Sequence, residues 1–143
     1  MKHIASLVTF LAMALSVAAQ SISIGSYNIR NANATDAKNG NAWADRCPRI
    51  TSLVHYEGWD IVAMQEVLDA QLQDLRQELK DYDYVGVGRN DGATKGEYVP
   101  IFFKKSRIKC HQQGTFWLSE TPEIVGSKGW DAALPRICTW AQL

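Results

Sequence analysis

The sequence predicts an α/β sandwich, and three observations carry that expectation. Short apolar runs of strand length alternate with segments whose apolar residues fall at helical spacing. The run DIVAMQEV at 60–67 holds an uninterrupted apolar body from Ile61 to Met64, the pattern of a strand covered on both faces. Glycine- and proline-bearing loops separate the later, β-rich segments.

The first 20 residues, MKHIASLVTFLAMALSVAAQ, form a segment of a different kind. A basic start, an apolar stretch from Ile4 to Val17 and small residues at Ala18 and Ala19 are the marks of a secretory signal peptide, which leads us to expect a secreted or periplasmic protein. The stretch has about 14 residues where a membrane span needs ~20, so no stable membrane span is expected. Residues 21–143 are then expected to form one domain.

The elements follow in order. SISIGSYNI alternates Ile22 and Ile24 with small polar residues, a strand rhythm that ends at Asn28. Residues 31–45 are rich in Asn, Ala, Asp and Gly without a period, which predicts an exposed connection. Asn33-Ala34-Thr35 fits a glycosylation acceptor in a eukaryotic host. From Cys47 to Tyr56, Ile50, Leu53 and Val54 fall at helical spacing, with Pro48 suited to a first turn and Gly58 to a helix end. After the 60–67 strand, Asp69 is placed to cap a second helix with Leu72, Leu75 and Leu79 on one stripe. Strands are expected in YDYVGVG (82–88) and at 98–103, 107–111, 114–118 and 136–143.

Charge and cysteine content bound the function. The whole chain has 15 basic and 15 acidic residues; without residues 1–20, which contain Lys2, the balance is 14 − 15 = −1. That balance does not favour a nucleic acid as partner, because no basic face is provided for. Cys47, Cys110 and Cys138 are an odd number for an exported protein, and a disulfide plus a free thiol or three thiols are both open. No zinc-type spacing occurs.

Chemistry in such folds sits at strand ends, where a rigid sheet meets adaptable loops. Asn28 and Glu66 each close an inferred strand. If the strands are parallel neighbours, the two side chains converge into an oxygen-rich corner that suits Mg²⁺ or Mn²⁺ and not zinc. Taken singly, a Glu after a strand is most simply a solvated loop residue, and Asn is a common loop opener.

Read together, SYNIR (26–30), QEV (65–67), GRNDGATKGEYVPIFF (88–103), FWLSETP (116–122) and GSKGWDAALPRICTW (126–140) resemble the endonuclease/exonuclease/phosphatase superfamily. The likeness is to its exported, bacterial-type branch and to the N-terminal half of the domain. The resemblance implies a four-layer α/β sandwich, two packed sheets flanked by helices, here truncated to about its N-terminal half. It also implies a metal-dependent phosphoesterase that uses Mg²⁺ or Mn²⁺ to promote attack of water on a phosphodiester or phosphomonoester. By that resemblance Glu66 matches the principal metal ligand, and Asn28 matches the Asn beside the metal that contacts the phosphate. Arg136 falls where relatives contact phosphate. In the 88–97 loop, Arg89, Asp91 and Glu97 either bind substrate or shape the turn, and a packing role is expected for Trp117 and Trp130. The substrate class is a phosphorylated small molecule, lipid or nucleotide.

The Asn-Thr-His, Asp-x-Asn and Asp-His motifs that carry the family's remaining site residues do not occur before Leu143. His3, His55 and His111 match none of them, so the 143-residue chain is expected to be catalytically silent on its own. Two other readings compete: a non-catalytic secreted binding module keeping half of the fold, and a glycosidase that pairs Glu66 with Glu97 or Glu120 at about 5–10 Å.

Overall fold

The computed structural model describes residues 21–143; the predicted signal peptide lies outside the described residues. The elements are β1 (Ile24–Asn28), α1 (Ala34–Lys38), α2 (Trp43–Glu57), β2 (Ile61–Gln65), α3 (Asp69–Glu78), β3 (Tyr82–Val85), β4 (Ile101–Lys104), β5 (Gln112–Trp117) and β6 (Ile137–Gln142). Two sheets result: a four-stranded one in the order β1-β2-β4-β3 and a two-stranded one of β5 and β6.

β1 and β2 are parallel, with Asn28 opposite Gln65, so both chains leave the sheet at the same edge. β4 runs antiparallel to β2 and β3. Helices α2 and α3 cover one face: Ile50, Val54, Leu72, Leu75 and Leu79 pack on Val62, Met64, Tyr82 and Phe102. Val62, Met64, Leu72 and Leu75 have no solvent exposure, and cutting any of these larger side chains to Ala would cost about 2–5 kcal/mol. On the opposite face Ile61, Ala63 and Gln65 are half-buried. The expectation that β2 is covered on both faces thus holds fully on the helix side alone, because the second sheet reaches mainly β4. Helix layer, sheet and second sheet are successive layers of an α/β sandwich, the architecture expected of the sequence.

Close packing at the start of the sheet depends on Gly25. A Cβ there would sit 2.4 Å from the Trp59 indole, so the ring can lie flat on β1 only because the residue has no side chain. Gly58 ends α2 in the left-handed conformation, φ 63°, as its position predicted.

Four local expectations are corrected. Residues 34–38 form a short helix inside the expected loop; Asn33 caps it by accepting from the Asp36 N–H at 2.9 Å and donating to Asp36 Oδ2 at 2.8 Å. The proposed glycosylation acceptor is therefore occupied as a cap. α2 begins at Trp43, so Pro48 lies inside the helix and not in its first turn. Trp43 extends the helix by docking on α3, its Nε1–H donating to Asp74 Oδ2 at 2.7 Å. Asp69 is the first residue of α3 and not its cap; its carboxylate accepts from the Tyr98 hydroxyl at 2.9 Å. Residues 107–111 form no strand, and the strand expected at 114–118 starts two residues earlier.

All three cysteines are free thiols. Cys47 is buried in α2 and its thiol is pushed up to about 11 by that burial. Cys110 precedes the Gln112 end of β5, whereas Cys138 pairs with Phe116 near the other end, so these two lie far apart along the hairpin. No helix among the described residues is long and apolar enough to cross a membrane.

Candidate active site

Glu66 follows β2 directly and adopts φ 61°, a left-handed backbone conformation uncommon for a side chain of this size. The turn leaves its carboxylate beside the end of β1. Asn28 Nδ2 donates to Glu66 Oε1 at 3.0 Å, and the backbone N–H of Asn31 donates to Oε2 at 3.2 Å. The Asn28 and Asn31 hydrogen bonds hold the Glu66 carboxyl below its ordinary value of 4.5, with Arg30 and Arg89 adding smaller favourable fields and burial opposing them. Glu66 is thus ionised at neutral pH, and among the described residues it makes no ion pair.

A second acid is close by and differently treated. Arg89 Nη1 donates to Glu97 Oε2 at 2.5 Å, and Asn31 Nδ2 donates to Glu97 Oε1 at 2.8 Å. Trp117 Nε1 donates to the Arg89 carbonyl at 2.7 Å, tying the second sheet to this loop. Arg89 Nε is buried without a hydrogen-bond partner among the described residues. Arg136 lines the same hollow, is exposed, and its guanidinium forms no ion pair there.

The resulting pocket has a volume of about 330 Å³. Asn28, Glu66, Arg89, Glu97 and Arg136, five of the residues singled out from the sequence, all line it. Asp91 does not: its carboxylate accepts from the N–H groups of Ala93 and Lys95 at 2.9 Å each and shapes the turn. Trp117 is a packed core residue, while Trp130, expected to pack as well, is 75% exposed. Glu120 is exposed and accepts from the Trp130 N–H at 3.4 Å. His55 and His111 lie outside the pocket lining.

The donor set can be tested against a hard cation. Each Glu66 oxygen accepts one hydrogen bond and keeps lone-pair capacity, and one ionised carboxylate is within what Mg²⁺ commonly takes from protein. Glu66 therefore fits. Asn28 orients the acid: its Oδ1 accepts from the Arg30 N–H at 2.8 Å and its Nδ2 donates to Glu66, which leaves the amide oxygen one lone pair. Among the described residues no group of three or more His, Cys, Asp or Glu side chains is placed to hold a metal.

Asn31 is the site residue that sequence reasoning missed. It joins both acids, one through its backbone and one through its amide, and only its position three residues after β1 hinted at that.

Comparison with solved structures identifies the fold. A mannosyl-6-phosphatase of Bacteroides thetaiotaomicron superposes with a TM-score of 0.83 at 48% sequence identity, covering 85% of this chain and 45% of that one. The chain belongs to the endonuclease/exonuclease/phosphatase family. A member from Bacteroides vulgatus matches at 46% identity and a TM-score of 0.77, covering 81% of this chain and 44% of that one. A D. rerio TDP2 humanized by 14 mutations shares the fold at 22% identity and a TM-score of 0.56, over 70% of this chain and 37% of its own. The chain therefore spans about 45% of the length of these two Bacteroides proteins. No family model matches the sequence, and the comparison with curated proteins gave no match.

Proposed function

We propose that this chain is the N-terminal part of an exported, divalent-metal-dependent phosphoesterase, with Glu66 as its cation ligand. The observation that carries the reading is an ionised carboxylate whose hydrogen bonds come from neutral donors and which, among the described residues, is in no ion pair, in a pocket that also contains cationic side chains. A bound Mg²⁺ or Mn²⁺ would supply charge stabilisation to the phosphate and its leaving oxygen.

The side chains divide the remaining work. Asn28 and Asn31 fix the direction of the Glu66 lone pairs. Arg136, in no ion pair among the described residues, offers its guanidinium to a phosphate, and Arg89, held by Glu97, adds a positive charge at the same pocket from a fixed position. Glu97 is engaged by Arg89 and Asn31, which suits it to holding Arg89 and not to accepting a proton from water. The water-activating group is then contributed from outside the described residues, in keeping with a match that covers only 45% of the mannosyl-6-phosphatase. On this reading the 143-residue chain alone does not turn over substrate.

A phosphorylated small molecule is the substrate class, and a sugar 6-phosphate is the first member to test, given the mannosyl-6-phosphatase at 48% identity. The apolar stretch of residues 4–17 supports export. The test is Mg²⁺-dependent phosphate release from mannose 6-phosphate by the full-length protein. Glu66→Ala should lower kcat/KM at least about a thousandfold, roughly 4 kcal/mol of transition-state stabilisation. Undiminished release by that variant would refute the assignment.

A further inference from the structure

The loop leaving β1 is gripped by two side chains that do not line the pocket. From α2, Arg46 donates to the carbonyls of Ile29 (2.5 Å), Arg30 (3.1 Å) and Asn31 (3.3 Å), and to that of Asn41 (3.0 Å). From α3, Gln71 has no solvent exposure and uses its whole amide: Oε1 accepts from the N–H groups of Ala32 (3.0 Å) and Leu68 (3.2 Å), and Nε2 donates to the Arg30 carbonyl (3.2 Å). Gln71 therefore joins the chain leaving β1 to the chain leaving β2.

These bonds matter because of what the same loop does on its other side. The Arg30 N–H orients Asn28, and the Asn31 N–H orients Glu66. An irregular segment has no ladder to hold its peptide groups, so its carbonyls need partners or they are stranded. A fully buried Gln is a costly way to fill space, since its amide must find every partner. Leu or Met would pack there at no such cost.

We propose that Gln71 and Arg46 are positioning residues, a clamp that sets the angle between the two strand exits and thereby aims Asn28 and Glu66 at one point. This rests on the reading of Glu66 as the cation ligand. Removing the clamp should leave the core intact and loosen the site, as loss of groups behind a metal ligand weakens binding by about 10–100-fold.

The test compares Gln71→Met with Leu75→Ala, a core cavity in the same helix, in the full-length chain. Two readouts are taken: amide hydrogen exchange at Arg30, Asn31 and Ala32, and Mn²⁺ affinity by electron paramagnetic resonance. Gln71→Met should speed exchange at these amides about tenfold or more and weaken Mn²⁺ about 10–100-fold, whereas Leu75→Ala at matched stability loss should do neither. If Gln71→Met does not fold, Arg46→Lys, which keeps the charge but not the fork that reaches three carbonyls, carries the same expectations. Unchanged exchange and affinity, or equal loosening by Leu75→Ala, would overturn the clamp. Should Glu66→Gln leave Mn²⁺ affinity intact, the cation reading fails, and exchange alone then decides the clamp: faster at the three amides supports it, unchanged refutes it.

Discussion

β2 is bracketed by two acids, and the protein treats them in opposite ways. Asp60, just before the strand, is 1% exposed and fully answered: Arg107 Nη1 lies 2.6 Å from both oxygens, Lys104 Nζ lies 3.5 Å away, and the Ser23 N–H donates at 3.0 Å. Glu66, just after the strand, receives two hydrogen bonds from neutral donors and no cation. One acid is a closed structural joint between the segment entering β1, β2 and the end of β4. The other lines the pocket at the strand-exit edge without a paired cation among the described residues. Both acids are held by hydrogen bonds, and what separates these two is that Asp60 is ion-paired and Glu66 is not.

The largest effect on folding should come from the closed end. Asp60→Asn leaves Arg107 and Lys104 without their acid, so the thermal midpoint should drop clearly. Its carboxyl is lowered in the fold by the Ser23 N–H first, then by Arg107 and Lys104, against the opposing effect of burial. A lowered folded value means the stabilisation is complete above the unfolded carboxyl's ordinary 3.8 and is lost as pH falls through the folded value. Thermal midpoints measured from pH 7 down to pH 2 should therefore fall less steeply in Asp60→Asn than in the wild type. Identical acid limbs would remove Asp60 from the structural role.

A smaller effect is expected at the open end from Asn28→Ala. It removes one of two bonds that aim Glu66. Mn²⁺ affinity should fall about tenfold, with a stability change of no more than about 1 kcal/mol, both measurable by titration and denaturant melts. An unchanged affinity would make Asn28 a spectator of the acid it touches.

Much of this arrangement was legible in residue order. The apolar body Ile61–Met64 marked a central strand, and Glu66 at its end marked the rim. Arg89, Glu97 and Arg136 were singled out on family blocks and reach the same pocket. What escaped was what side-chain type does not encode. Asn31 reaches Glu66 through its backbone N–H, which any non-proline residue carries. The helix Ala34–Lys38 has one turn and no apolar stripe, so its capping Asn33 was its single signal. Ile108 and Cys110 alternate as a strand would, yet the turn after Lys104 takes up Arg107 and Ile108, and the first bond to β6 is made by the His111 N–H, which donates to the Gln142 carbonyl at 2.8 Å. That the Asn28 amide bridges the Arg30 N–H and Glu66 could be seen only in three dimensions.

The central claim is that the uncompensated charge of Glu66 is the cation's anchor. Mn²⁺ titration of the wild type, Glu66→Gln and Asp60→Asn, at a temperature where all three are folded, tests it directly. The account predicts binding weakened at least about a hundredfold in Glu66→Gln and unchanged in Asp60→Asn; equal affinity in Glu66→Gln and the wild type would contradict it.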